Sequence, residues 1–113
     1  MDECSRPWGK YEILLSEKNY KVKKISVIPG GSLSYQYHLK RAEDWVIVQG
    51  KGRVTVDDNT FELEVGDSIH IPTLAKHRIQ NTADCELVFI EVQTGEYFGE
   101  DDIVRLEDSY GRV

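Results

Sequence analysis

Two polar-residue spacings, each laid over a pair of strands, constrain this chain more than any other feature. From Gly30 it reads Gly, five residues, Gln36, one residue, His38, four residues, Glu43, six residues, Gly50. After fifteen more residues it reads Gly66, five residues, Pro72, four residues, His77, three residues, Asn81. Glycine, proline and asparagine at such intervals are turn chemistry, so the polar residues between them are held by strands. Residues two apart on a strand face the same way. Gln36 and His38 therefore share a face, with alpha carbons about 6.8 Å apart. Residues 39–42 form a turn, and Glu43 opens the next antiparallel strand, beside His38. His77 belongs to a second hairpin and reaches the others only if the sheet closes into a barrel.

Two imidazoles, a carboxylate and an amide oxygen make a mixed nitrogen and oxygen set. Such a set suits zinc, manganese, iron, cobalt or nickel better than calcium. Taken singly, each of these residues has a blander reading as a surface or core side chain. The joint spacing, with its glycines, proline and asparagine in place, points to a metal site.

The rest of the chain agrees with a closed all-β fold. Short strands are expected over 11–15, 20–28, 33–37, 43–49, 53–56, 60–63, 68–71, 76–80 and 86–92, separated by Gly-, Asn- and Asp-rich turns. Val54-Thr55-Val56 and Phe61-Glu62-Leu63-Glu64-Val65 alternate, as half-exposed strands do. Trp45-Val46-Ile47-Val48 and Leu87-Val88-Phe89-Ile90 are continuous apolar runs, expected to be buried on both faces. A short helix is expected over 101–109, with Asp101 and Asp102 near its N-terminus. At 113 residues, without internal repeat or linker, one domain over 1–113 is expected. A net charge of −6 argues against a nucleic-acid partner. No apolar run is long enough for a membrane helix, and the acidic start Met1-Asp2-Glu3-Cys4 is unlike a signal peptide. A cytoplasmic location is the expectation. Cys4 and Cys85 have no metal-motif spacing.

The double spacing resembles the two motifs of the cupin superfamily, a double-stranded β-helix or jelly-roll barrel. Most cupins have His where this chain has Gln36, and Gly where it has Leu74. Gln in the first ligand slot resembles type II phosphomannose isomerases, the isomerase domain of bifunctional mannose-6-phosphate isomerase/mannose-1-phosphate guanylyltransferase enzymes. The matching segments are Arg6-Pro7-Trp8-Gly9, Tyr20-Lys21-Val22-Lys23, Ile28-Pro29-Gly30, Leu33-Ser34 before Gln36, Arg41-Ala42-Glu43 before Trp45, Ile71-Pro72, His77-Arg78, and the run from Glu91 to Arg105. The resemblance implies zinc held by Gln36, His38, Glu43 and His77. It also implies a phosphorylated sugar as substrate and a homodimer as assembly. Leu39, Lys40 and Asp44 stand where the family usually has histidines, and they are expected to alter the mouth of the site. No length remains in 113 residues for a nucleotidyl-transfer domain, so that activity is not expected.

Moving a proton between C1 and C2 of a sugar phosphate through an enediol needs a Lewis acid, a base at carbon and a phosphate anchor. Arg105 is the leading anchor, since its planar fork suits oxyanions; its plainer role is an ion pair in an acidic tail. Lys23 and Lys40 are further substrate-binding candidates, although Lys21-Val22-Lys23-Lys24 also reads as a solvated strand face. Glu91, Glu96, Glu100 and a hydroxide on the ion are the candidate bases, and a carboxylate would need burial or a like-charged neighbour to serve. His70, between Ile69 and Ile71, is expected inside the barrel, lining the pocket or buried as a structural residue. Tyr35 and Tyr37 flank Gln36 and are expected to face away from the ligands. Two other function classes stay open: another metal-dependent cupin enzyme, or a non-catalytic sugar-phosphate-binding barrel.

Overall fold

The computed structural model of the chain describes residues 2–99 and 101–108. Eleven strands run through them: β1 (Asp2–Arg6), β2 (Gly9–Ser16), β3 (Tyr20–Val27), β4 (Tyr35–Tyr37), β5 (Arg41–Gln49), β6 (Lys51–Val56), β7 (Asn59–Glu64), β8 (Ser68–Ile71), β9 (His77–Gln80), β10 (Leu87–Gly95) and β11 (Val104–Glu107). They form two antiparallel sheets, ordered β1-β2-β3-β10-β5-β8 and β11-β4-β9-β6-β7. This is the jelly-roll barrel that the motif spacing requires.

Period-two alternation sorts the inward side chains into two layers. Along β5 the inward residues run Arg41, Glu43, Trp45, Ile47; along β10 they run Leu87, Phe89, Glu91, Gln93; along β3 they run Lys23, Ile25, Val27. Antiparallel register lines these up, with Phe89 opposite Ile25 and Ile47, and Glu91 opposite Lys23 and Trp45. One end of the barrel is therefore apolar, built on Ile25, Val27, Ile47, Val54, Ile79, Leu87 and Phe89. The other end is polar, and Trp45 and Tyr11 mark the border. Burying that apolar layer stabilises the fold by roughly 1.5–3 kcal/mol per large side chain.

The motif glycines serve the turns. Gly30 and Gly50 have φ of 79° and 75°, a region that costs a residue with Cβ about 1–2 kcal/mol. At Gly50 an added Cβ would also meet the Glu86 carbonyl at 2.6 Å. Asn81 is a brace: its Nδ2 donates to the carbonyls of Val27 and Cys85, and its Oδ1 accepts from Ala83 N.

Three expectations are corrected. The expected helix over 101–109 does not form; Val104–Glu107 is strand β11, paired with β4. Ile103 and Val104 are β-branched and favour extended backbone, and the three-residue β4 would otherwise leave an open edge. Val46 and Val48 are exposed on the outer face of β5, which lies next to the sheet's edge strand. His70 also points outward, where its Nδ1 lies 2.8 Å from Asp44 Oδ1. Its neighbour Ile71 takes the inward direction, so alternation turns His70 away from the barrel interior. No helix among the described residues is long and apolar enough to cross a membrane.

Candidate metal centre

Three buried donors converge at the polar end of the barrel. Ligand atoms of His38, Glu43 and His77 lie within 4.8 Å of one another. His38 Nε2 is 3.2 Å from Glu43 Oε2, and His77 Nε2 is 3.8 Å from Glu43 Oε1. Each imidazole is oriented through its other nitrogen. His38 Nδ1 donates to the Asp102 carbonyl at 2.6 Å, and His77 Nδ1 donates to the Ala75 carbonyl at 2.9 Å. A carbonyl only accepts, so both rings carry hydrogen on Nδ1 and present an Nε2 lone pair to the centre. That is the tautomer and backing a metal-ligating histidine requires.

Gln36 reaches the same cavity from β4, directly opposite His77 across the ladder. Its amide nitrogen donates to Ser34 Oγ at 2.8 Å, which leaves the amide oxygen as its remaining donor atom for an ion. The donor set thus fits a divalent ion on its chemistry: two neutral imidazoles, one carboxylate and one amide.

The carboxylates of the site are tuned in opposite senses. Burial would raise Glu43, but its neighbours His38, His77 and Arg41 outweigh it and hold its carboxyl well below the usual range. Glu91 is pushed up to about 8, first by burial and then by the neighbouring Glu43, against the pull of Lys23 and Arg41. The Trp45 indole N–H donates to both, at 3.0 Å to Glu43 Oε1 and 3.1 Å to Glu91 Oε1. Gln93 Nε2 donates to Glu91 Oε2 at 2.6 Å. Burial lowers His77, with Glu43 opposing, which keeps that ring neutral.

The expected substrate residues divide. Lys23 is buried, stacks over Tyr11 at 4.4 Å and lines the cavity. Arg105 also lines it, entering beside Gln36 from β11, and its Nε is buried without a hydrogen-bond partner among the described residues. Lys40 is exposed, with its ammonium over Tyr97, and neither it nor His70 is among the lining residues. Glu96 is exposed. Glu100 lies outside the described residues.

A family model for the C-terminal domain of mannose-6-phosphate isomerase matches residues 1–108. The chain belongs to this isomerase family. Alginate biosynthesis protein AlgA of Pseudomonas aeruginosa is 49% identical over 111 residues, which is 98% of this chain and 23% of that protein. Mannose-1-phosphate guanylyltransferase ManC of Salmonella typhimurium is 48% identical, again over 98% of this chain and 23% of its own length. The chain thus spans about a quarter of the length of these curated relatives. Among solved structures, the oxalate decarboxylase of Lactobacillus farciminis, as a formate complex, superposes with a TM-score of 0.80 at 28% identity, over 93% of this chain and 33% of that one. The barrel is a cupin.

Seen as an isomerase-family barrel, the chain carries its departures on the outside. Leu39 and Lys40 are exposed, and Asp44 faces outward to His70, because Glu43 and Trp45 on either side take the inward positions. None of the three lines the cavity, contrary to the expectation that they reshape its mouth. Tyr35 does turn away from the ligands, donating its hydroxyl to Asp58 at 2.6 Å. Arg41, one of the local basic residues of the sequence and absent from the expected site set, lines the cavity. It is buried, its Nε donates to Glu43 Oε2 at 3.0 Å, and its Nη2 lies 3.3 Å from His38 Nε2. The expected turn over 39–42 hid it: β5 begins at Arg41, two residues before Glu43, and so gives both the same face. Arg6, at the end of β1, and Trp8, in the turn before β2, also line the cavity.

Proposed function

We propose that this barrel is a divalent-metal-dependent aldose–ketose isomerase that interconverts mannose 6-phosphate and fructose 6-phosphate. The observation that carries this reading is a buried carboxyl of raised proton affinity, Glu91, in the same cavity as the His38–Glu43–His77 cluster. Gln36, His38, Glu43 and His77 would hold the ion, with zinc as our assignment for this donor set. When bound, the ion supplies Lewis-acid polarisation of the oxygens on C1 and C2.

Glu91 takes the proton from C2 and returns it to C1, while the hydroxyl proton passes from O2 to O1. Its raised pKa keeps both protonation states accessible near neutrality, as a reversible proton carrier requires. The hydrogen bonds from Trp45 and Gln93 hold its carboxyl in place. Arg41 is fixed on Glu43 and offers positive charge where oxygen charge develops. Arg105, with Lys23, takes the phosphate. The cavity is lined by Arg6, Lys23, Arg41, Arg78 and Arg105 against Glu43 and Glu91, a cationic excess within a chain of net charge −6. Family membership supports the phosphorylated sugar. The cytoplasmic location and the homodimer are part of the proposal.

The test is formation of fructose 6-phosphate from mannose 6-phosphate by the purified chain, with its metal content measured. Activity removed by a chelator and restored by zinc is expected. Glu91→Gln should lower kcat by at least about 100-fold while the ion is retained. Full turnover by Glu91→Gln would remove it as the base. No turnover by a zinc-loaded chain that binds mannose 6-phosphate would favour a binding barrel over an enzyme.

A further inference from the structure

The segment between β10 and β11 holds an acidic residue whose burial the reaction alone does not explain. Asp102 is buried, and its carboxylate is spent on backbone. Leu39 N donates to Oδ1 at 2.9 Å and Lys40 N to Oδ2 at 3.0 Å. Its own carbonyl accepts the Nδ1–H of His38 at 2.6 Å. One residue thus grips the ligand ring and the two residues that follow it. Charge-assisted bonds to amides are roughly twice as strong as neutral ones. The opposite side of the same turn is tied to the Pro72 turn, since Leu74 N donates to the His38 carbonyl at 2.9 Å.

The consequence is geometric. The Asp102 carbonyl sets the His38 tautomer and the plane of its ring, while the Asp102 carboxylate fixes the backbone from which the ring hangs. His38 Nε2 then faces Glu43 at 3.2 Å. Three residues on, Arg105 enters the same cavity. The geometry points to Asp102 as a positioning residue for the metal centre, acting through His38 and touching neither the ion nor the sugar. This rests on the metal reading of the His38–Glu43–His77 cluster.

The experiment uses the full chain, with cobalt as the probe ion. Asp102→Ala should weaken cobalt binding by about 10–100-fold, as losses of the groups that orient metal ligands do. Asp102→Asn keeps one acceptor and should fall between. Val54→Ala, a core lesion away from the cavity, should lower the urea midpoint without changing cobalt affinity; this separates positioning from general destabilisation. Nitrogen-15 NMR of the metal-free wild type should show His38 as the Nδ1–H tautomer, and Asp102→Ala should show a mixture. An Asp102→Ala chain that folds and binds cobalt within twofold of wild type overturns the inference. So does an Nε2–H tautomer of His38 in the wild type. Should Asp102→Ala not fold, Asp102→Asn and the wild-type tautomer decide. A wild type that takes up no cobalt overturns the metal reading instead, and the tautomer still decides whether Asp102 sets the ring.

Discussion

Leu74 has a φ of 73° in the turn after Pro72, and its side chain is 58% exposed. A side chain with Cβ in that region costs about 1–2 kcal/mol, part of which glycine returns as unfolded-state entropy. Leu74→Gly should therefore raise stability, on the order of 0.5–1 kcal/mol, read as a higher urea midpoint with an unchanged slope. A lower midpoint would mean that Leu74 packs against something worth more than its strain. Much of the site was legible at this scale. Parity along β4 and β5 brings Gln36, His38 and Glu43 to one cavity, and turn spacing brings His77. Arg41 was hidden because the strand was expected to open at Glu43 and opens two residues earlier, while parity would have turned His70 outward once Ile71 was taken as core. Asp102 was not legible, because its partners lie 62 to 64 residues away and nothing local marks an aspartate as an acceptor for distant amides.

At the scale of elements, β11 is what the sequence concealed. Two aspartates ahead of a mixed apolar and charged run suit a helix start, and only the vacant edge of β4 selects the strand instead. That edge has a functional side, since the pairing of Arg105 with Gln36 delivers the guanidinium to the cavity. Val104→Pro would break this pairing through the ring's fixed φ and missing N–H. We expect a modest loss of stability, about 1–2 kcal/mol for an edge strand. We also expect a several-fold higher KM for mannose 6-phosphate, with kcat less affected. Equal KM in both chains would show that Arg105 finds the cavity without β11. The apolar runs teach the complementary lesson. Leu87, Val88 and Phe89 are buried because β10 lies between β3 and β5, whereas Val46 and Val48, equally apolar, are exposed one strand nearer the edge. A run of aliphatic residues reports strand propensity, and sheet order decides its burial.

For the whole molecule, the buried acids make stability depend on pH. In the ion-free protein Glu91 keeps its proton up to about 8, against an ordinary 4.5. Between those values the folded state binds a proton that the unfolded chain has released, so stability falls as pH rises. Glu43, held low, acts oppositely, and its contribution is lost as pH falls below the usual carboxylate range. His77, lowered by burial, adds stability as pH rises through its unfolded value of 6.5. Between pH 6.5 and 8 the Glu91 decline is the larger of the two, since the His77 gain levels off about one unit above 6.5. There the urea midpoint of the ion-free wild type should fall, by on the order of 1–2 kcal/mol in stability, and Glu91→Gln should flatten the decline. A flat wild-type profile would place the Glu91 pKa near its ordinary value. The grip of Asp102 on His38 bears on how the molecule is made. The two residues are separated by 64 positions, so a ligand ring and its backing come from distant stretches of sequence. Closing such a long loop is among the slower events of folding. A chain halted before residue 102 would carry His38 and His77 with only the His77 ring backed, so its hold on a cation should stay weak until Asp102 has joined them.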